Sequence, residues 1–184
     1  MSIDAAVWAL REGEIIGMPT DTVYGLAVDP FNVEAIERLY ELKGREGNKP
    51  LALLVASIDQ AMSLASFTDQ ALDLADEHWP GGLTLVLPRL AGAPDWLGDP
   101  ARRTIGLRCP SHDVALEMLG TVGPLAVTSA NLAGRVSAIN HEEAAEIFGD
   151  DVGYYLEGEA PGGQASTIID LTEPAPLVLR RGPV

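Results

Sequence analysis

The chain has 184 residues, 47% of them hydrophobic, with one cysteine and a formal charge of −15 from 27 acidic and 12 basic side chains. That length supports a buried core without disulfide or metal staples, and Cys109 alone excludes an internal disulfide. No apolar run approaches a membrane span, no signal-type segment opens the chain, and the acidic balance opposes broad binding to nucleic acid, which rests on neutralising phosphates. The expectation is a soluble, cytoplasmic, single-domain protein spanning residues 1–184.

Ile3, Val7 and Leu10 recur at helical spacing before Gly13, so residues 3–12 read as a helix with a glycine C-cap. Residues 14–18 read as a strand closed by Pro19. Thr20, Asp21 and Thr22 then form a polar segment before the apolar run 23–28. Polar residues at the carboxyl ends of strands in an α/β sheet are where ligands tend to bind. Asn32 suits an N-cap for a helix carrying Val33, Ile36, Leu39 and Tyr40 and ending at Gly44. Residues 51–56 read as a buried strand, and Ser57 and Thr68 as caps of two helical stretches reaching about Trp79.

Pro80-Gly81-Gly82 turns the chain into a strand over 83–88, and the Pro- and Gly-bearing residues 89–103 read as a surface loop. Residues 104–108 alternate as a strand, and Ser111 reads as the cap of a helix to Leu119. Residues 124–128 give another strand, running into Ser129-Ala130-Asn131 and a glycine-bearing loop through Ser137. Asn140 with Glu143 has the form of a capping box for a helix ending at Gly149. Segments 152–156, 166–171 and 177–180 read as short strands. These last strands leave no room for helical crossovers, so a mixed sheet in one α/β domain is expected.

Both lysines, Lys43 and Lys49, fall in one seven-residue window with Arg45 between them. Cations bunched around glycines past a helix end suit a small polyanion such as a nucleotide triphosphate. Lys43 and Arg45 also suit the negative C-terminal end of the preceding helix, and spacing alone does not separate the two uses. Thr20 and Thr22 fit strand-end turns as well as a ligand site, and Ser129 and Asn131 fit turns or caps. Arg180 and Arg181 fit a solvated terminus. His78, His112 and His141 carry no partner pattern. Cys109 reads as a small core residue and Trp79 as a packing anchor.

The phrases PTDTVYGLAVDP, LYELKGREGNKPLALLV, WPGGLTLVLP, TIGLRCPSH, LAVTSANLAGRVS, ASTIIDL and LRRG occur in this order over nearly the whole chain. Together they resemble the YrdC/TsaC type of threonylcarbamoyl-AMP synthase, in its short, single-domain form. The resemblance implies a twisted α/β domain, a mixed sheet flanked by helices, with a concave ligand cleft. It implies a nucleotidyltransferase that converts L-threonine, bicarbonate and ATP to threonylcarbamoyl-AMP and pyrophosphate. The adenylate would then serve adenosine 37 of tRNAs through downstream transfer proteins.

By the same resemblance, Thr22 and Arg108 would hold threonine, with Val127 offering backbone and Ser166 a hydroxyl. Arg45, Lys49, Thr104, Ser129, Ser137 and Arg180 would bind ATP. Lys43, Arg45, Lys49, Ser129 and Asn131 form the family's signature and are the catalytic candidates. Magnesium would accompany the triphosphate, with no dedicated metal ligands on the protein. Two positions depart from the family's usual pattern: Leu54 stands where histidine is frequent, and Ala133 where serine precedes glycine. Two other readings compete: a domain forming carbamoyl-adenylate, which in its relatives sits in much longer chains, and a module binding double-stranded RNA or maturing ribosomes. Direct RNA binding fits poorly with the charge of −15.

Overall fold

Helix starts in this chain are written by short polar side chains that accept an otherwise orphaned backbone N–H. The computed structural model describes residues 2–44, 50–161 and 164–184. Helix α1 (Ile3–Arg11) begins where Ser2 accepts from the Asp4 N–H, and α2 (Val33–Leu42) where Asn32 accepts from Ala35. Ser57 does the same for α3 (Ile58–Met62), Thr68 for α4 (Asp69–His78), and Asn140 for α6 (His141–Phe148). Each such cap stabilises its helix by about 1 kcal/mol. Gly13 closes α1 at a φ of 76°, the left-handed region that favours glycine at this position.

Three local readings need correction. Ser111 does not cap α5 (Asp113–Val122): His112 holds the extended N-cap position without a side-chain bond, and the helix runs past Leu119 to Gly123. The capping box at Asn140 is displaced by one residue, because the Glu143 carboxylate accepts from the Ile139 N–H (3.0 Å) rather than from Asn140 itself. Residues 89–103 form no plain surface loop. The buried Arg89 guanidinium donates to the carbonyls of Pro94 and Leu97 and pairs with Asp95, drawing Leu97 into the core.

The strands are β1 (Ile16–Met18), β2 (Gly25–Val28), β3 (Ala52–Leu54), β4 (Leu83–Pro88), β5 (Thr104–Arg108), β6 (Leu125–Ser129), β7 (Tyr154–Tyr155), β8 (Thr167–Asp170) and β9 (Leu177–Arg180). They join one sheet in the order β7-β1-β2-β6-β3-β5-β4-β8-β9. The sheet is mixed, as expected. Strands β1/β7, β3/β5 and β4/β8 pair parallel, while β1/β2, β2/β6, β3/β6, β4/β5 and β8/β9 pair antiparallel. Segment 152–156 contributes only two strand residues, Tyr154 and Tyr155, after a 3-10 turn at Gly149–Asp151.

Alternation along the strands divides the core between two faces. Leu26, Val28, Leu53, Leu85 and Leu107 pack with Ala35, Leu39, Ala75 and Phe148 under α2, α4 and α6. Ile16, Met18, Ala27, Leu54 and Leu125 pack with Leu10, Met118 and Leu119 under α1 and α5. That second cover stops short. Ala52, Gly106, Thr84 and Ile168 share the open part of the sheet, and the site lies over them. Among the described residues no helix is long and apolar enough to cross a membrane.

Candidate active site

The open face holds a cleft of about 760 Å³, counting the space at its mouth. Its floor is made of small residues at paired positions: Val127 opposite Ala52, and Ala52 opposite Gly106. A Cβ on Gly106 would meet the Thr84 methyl at 3.5 Å, an ordinary contact, so the floor is low because nothing rises from it. Thr20, Thr22, Pro50, Thr84, Arg108, Ser129, Ser166 and Arg180 also line the cleft.

Register places the candidate residues in rows. Thr104, Gly106 and Arg108 alternate onto one face of β5, which puts the two ends about 13 Å apart. Arg108 falls opposite Leu54. Thr104 and Ser129 lie two residues beyond Gly106 and Val127, both toward Pro50. Thr104 and Ser129, both assigned to the nucleotide, therefore share one end, while Arg108 occupies the other; Thr104 itself is buried and is not part of the cleft lining. Arg180 belongs to the Arg108 end, because it pairs with Ile168, which pairs with Thr84.

The turn after β1 reaches across the sheet to Arg108, although β6 and β3 separate β2 from β5. The Thr20 hydroxyl organises that turn, donating to the Val23 carbonyl (2.7 Å) and accepting from the N–H groups of Thr22 and Val23. Arg108 donates from Nε to the Gly81 carbonyl (2.9 Å), from Nη1 to the Thr22 hydroxyl (2.8 Å), and from Nη2 to the Asp21 carboxylate. The side chain is only 7% exposed. Burial pulls the guanidinium below its ordinary value, and the Asp21 charge opposes that pull. Next to it, burial pushes the Cys109 thiol up, a direction away from thiolate reactivity.

At the Ser129 end, the hydroxyl of Ser129 donates to Asn131 Oδ1 (2.6 Å) and Asn131 Nδ2 donates to the Arg135 carbonyl (2.6 Å). Lys43 caps α2 and points its ammonium into this turn. Its Nζ donates to the Ser129 carbonyl (2.6 Å), to Asn131 Oδ1 (2.8 Å) and to the Asn131 carbonyl. Lys43 is 3% exposed and is not among the cleft-lining residues. Lys43, read from sequence as part of a polyanion-binding patch or as a complement to the end of α2, is thus a buried strut. Arg45 and Lys49 lie outside the described residues. Ser137 is half-buried beside Ala138, whose backbone is tied to Ala130 and Tyr24. On the far wall Arg180 donates from Nε to the Ser166 carbonyl (2.8 Å) and from Nη2 to its hydroxyl (3.0 Å).

Three comparisons with known proteins bear on this arrangement. The Sua5/YciO/YrdC family model, described as "Telomere recombination", matches residues 8–182. The chain belongs to the Sua5/YciO/YrdC family. A Mycobacterium tuberculosis member, provisionally named a threonylcarbamoyl-AMP synthase, is 43% identical over 184 residues, covering 99% of this chain and 84% of its own. The structure of Pyrococcus abyssi Sua5 complexed with L-threonine superposes with a TM-score of 0.91 at 37% identity, covering 98% of this chain and 54% of that one. The chain thus spans about half the length of the archaeal protein. Escherichia coli YciO, 28% identical, also superposes at 0.91, covering 98% of this chain and 89% of its own.

Sequence reasoning missed Thr84, whose buried hydroxyl meets the Ser166 hydroxyl at 2.8 Å. Its signal was present: a lone polar residue inside the apolar strand Leu-Thr-Leu-Val-Leu. Asp21 stood within the singled-out turn but was given no task. The low floor at Ala52 and Gly106 had no signal before the register was known.

Proposed function

We propose that the chain is a threonylcarbamoyl-AMP synthase, joining L-threonine, bicarbonate and ATP with release of pyrophosphate. One observation carries the reading: a small-residue floor with a buried arginine and threonine hydroxyl at one end and a serine-asparagine turn at the other, in a member of this family. Arg108 and Thr22 are assigned to the threonine carboxylate and amine, with Val127 and Ser166 beside them. A guanidinium grips a carboxylate through two parallel hydrogen bonds, which an ammonium cannot reproduce. Ser129, Thr104, Ser137, Arg45 and Lys49 are assigned to ATP. Arg180, held on Ser166 at the threonine end, is assigned to the phosphate nearest the amino acid.

In the proposed reaction the threonine amine takes up bicarbonate as a carbamate with loss of water. A carbamate oxygen then attacks the α-phosphorus, the bond to the β-phosphate breaks, and pyrophosphate leaves. Charge grows on the phosphoryl oxygens and the departing pyrophosphate, so fixed cations and hydroxyl donors lower the barrier by position and electrostatics. No side-chain nucleophile is required. The described cleft lining contains hydroxyls and guanidinium groups but no carboxylate. That donor set fits a magnesium ion carried by the triphosphate and water, supplying charge neutralisation there. The reading places the enzyme in the cytoplasm, with the adenylate passed to downstream tRNA-modifying proteins.

Pyrophosphate release from ATP, measured with and without L-threonine and bicarbonate, tests the proposal. Release that needs both, with a product of threonylcarbamoyl-AMP mass, is expected. Release without threonine, or none at all with ATP bound, would overturn it.

A further inference from the structure

The Arg108 guanidinium is a buried cation whose three named bonds go to Gly81, Thr22 and Asp21. Thr20 and Thr22 line the cleft, whereas Asp21, between them in sequence, is not among the lining residues and its side chain is 16% exposed. The carboxylate therefore reaches Nη2 from outside the cleft wall. A guanidinium has five N–H donors, so beyond these bonds each Nη carries a second N–H. Those N–H groups remain for a ligand, and carboxylates are the anions that arginine binds through paired N–H groups.

Asp21 answers two physical needs of such a group. A buried guanidinium without a counter-charge is costly, and a long side chain without an anchored plane swings its donors away from a ligand. The Gly81 carbonyl and the Thr22 hydroxyl give geometry but no charge. Asp21 gives both, from the turn that the Thr20 hydroxyl holds in shape.

We propose that Asp21 is a positioning residue: by pairing with Arg108 from behind the cleft wall, it holds the guanidinium in the orientation that receives the amino acid's carboxylate. This rests on the assignment of Arg108 to that carboxylate. The competing role is that Asp21 occupies Arg108 in place of the substrate and must be displaced by it.

Calorimetric binding of L-threonine and of L-threoninol, which keeps the amine but lacks the carboxylate, separates these roles across the wild type, Asp21→Asn and Asp21→Glu. The wild type prefers threonine over threoninol; equal binding would remove the Arg108 assignment itself, and this inference with it. Given that preference, Asp21→Asn weakens threonine by about 10- to 100-fold, the loss of a charge-assisted bond, and leaves threoninol unchanged. In turnover assays it raises the KM for threonine while kcat at saturation and the KM for ATP stay near native. Asp21→Glu, which keeps the charge, restores most of the loss.

Threonine bound unchanged or more tightly by Asp21→Asn would overturn the proposal and mark Asp21 as the competitor. Equal weakening of threonine and threoninol would overturn it as a general collapse of the turn. If Asp21→Asn does not fold, Asp21→Glu decides: a folded variant that keeps the threonine preference supports positioning, and one that loses it contradicts it.

Discussion

Lys43 and Arg108 are both buried cations beside one cleft, and they are buried for different ends. Lys43 donates to the carbonyls of Ser129 and Asn131 and to the Asn131 amide oxygen, joining the end of α2 to the turn after β6. Arg108 lines the cleft and is braced by the Asp21 carboxylate and the Gly81 carbonyl, neither of which lines it, and by the cleft-lining Thr22 hydroxyl. A cation meeting neutral acceptors on a neighbouring turn is a strut. A cation braced on one side and facing a cavity on the other is set up to meet an anion. Residue type and motif membership did not separate the two; the acceptors did.

Substitutions at these places sharpen or break that contrast. Lys43→Met strips three acceptors of their donor, and a loss of about 3 kcal/mol in urea unfolding is expected, with activity falling alongside. Native stability with lost activity would make Lys43 a ligand contact instead. Arg108→Lys keeps the charge but not the fork. It should raise the KM for threonine by about 10- to 100-fold in pyrophosphate-release assays while sparing the KM for ATP. An effect confined to ATP would reverse the division of the cleft. Gly106→Leu puts a side chain on the floor between the two ends and should weaken both substrates by about tenfold, a rough loss of one well-placed contact, with the melting temperature nearly unchanged. Ser137→Ala should raise the KM for ATP by a factor of only about two to five, since one half-buried hydroxyl contributes about 0.5–1 kcal/mol.

Much of this was legible in the chain. The glycine after α1 and the mixed sheet follow from local rules, and Asn32, Ser57, Thr68 and Asn140 accept the N–H groups that their positions demand. Ser111 misled because an extended His112 holds the cap position without offering an oxygen. Residues 89–103 misled because composition says loop, whereas the buried Arg89 converts the loop into a packed segment. At the site, Thr22, Arg108, Ser129, Ser166 and Arg180 were named from sequence and line one cleft. What sequence could not supply was depth and direction: which face of β5 is open, and that Lys43 turns inward. Those depend on register between strands far apart in the chain, a property of pairing rather than of any segment.

A crystal structure of the chain with L-threonine and a non-hydrolysable ATP analogue tests the division of the cleft most directly. The threonine carboxylate is expected on the two Nη groups of Arg108, with the nucleotide along the row from Ser129 to Thr104 and its α-phosphate over Gly106. Threonine seated away from Arg108, or a phosphate bound directly on the Arg108 guanidinium in its place, would contradict it.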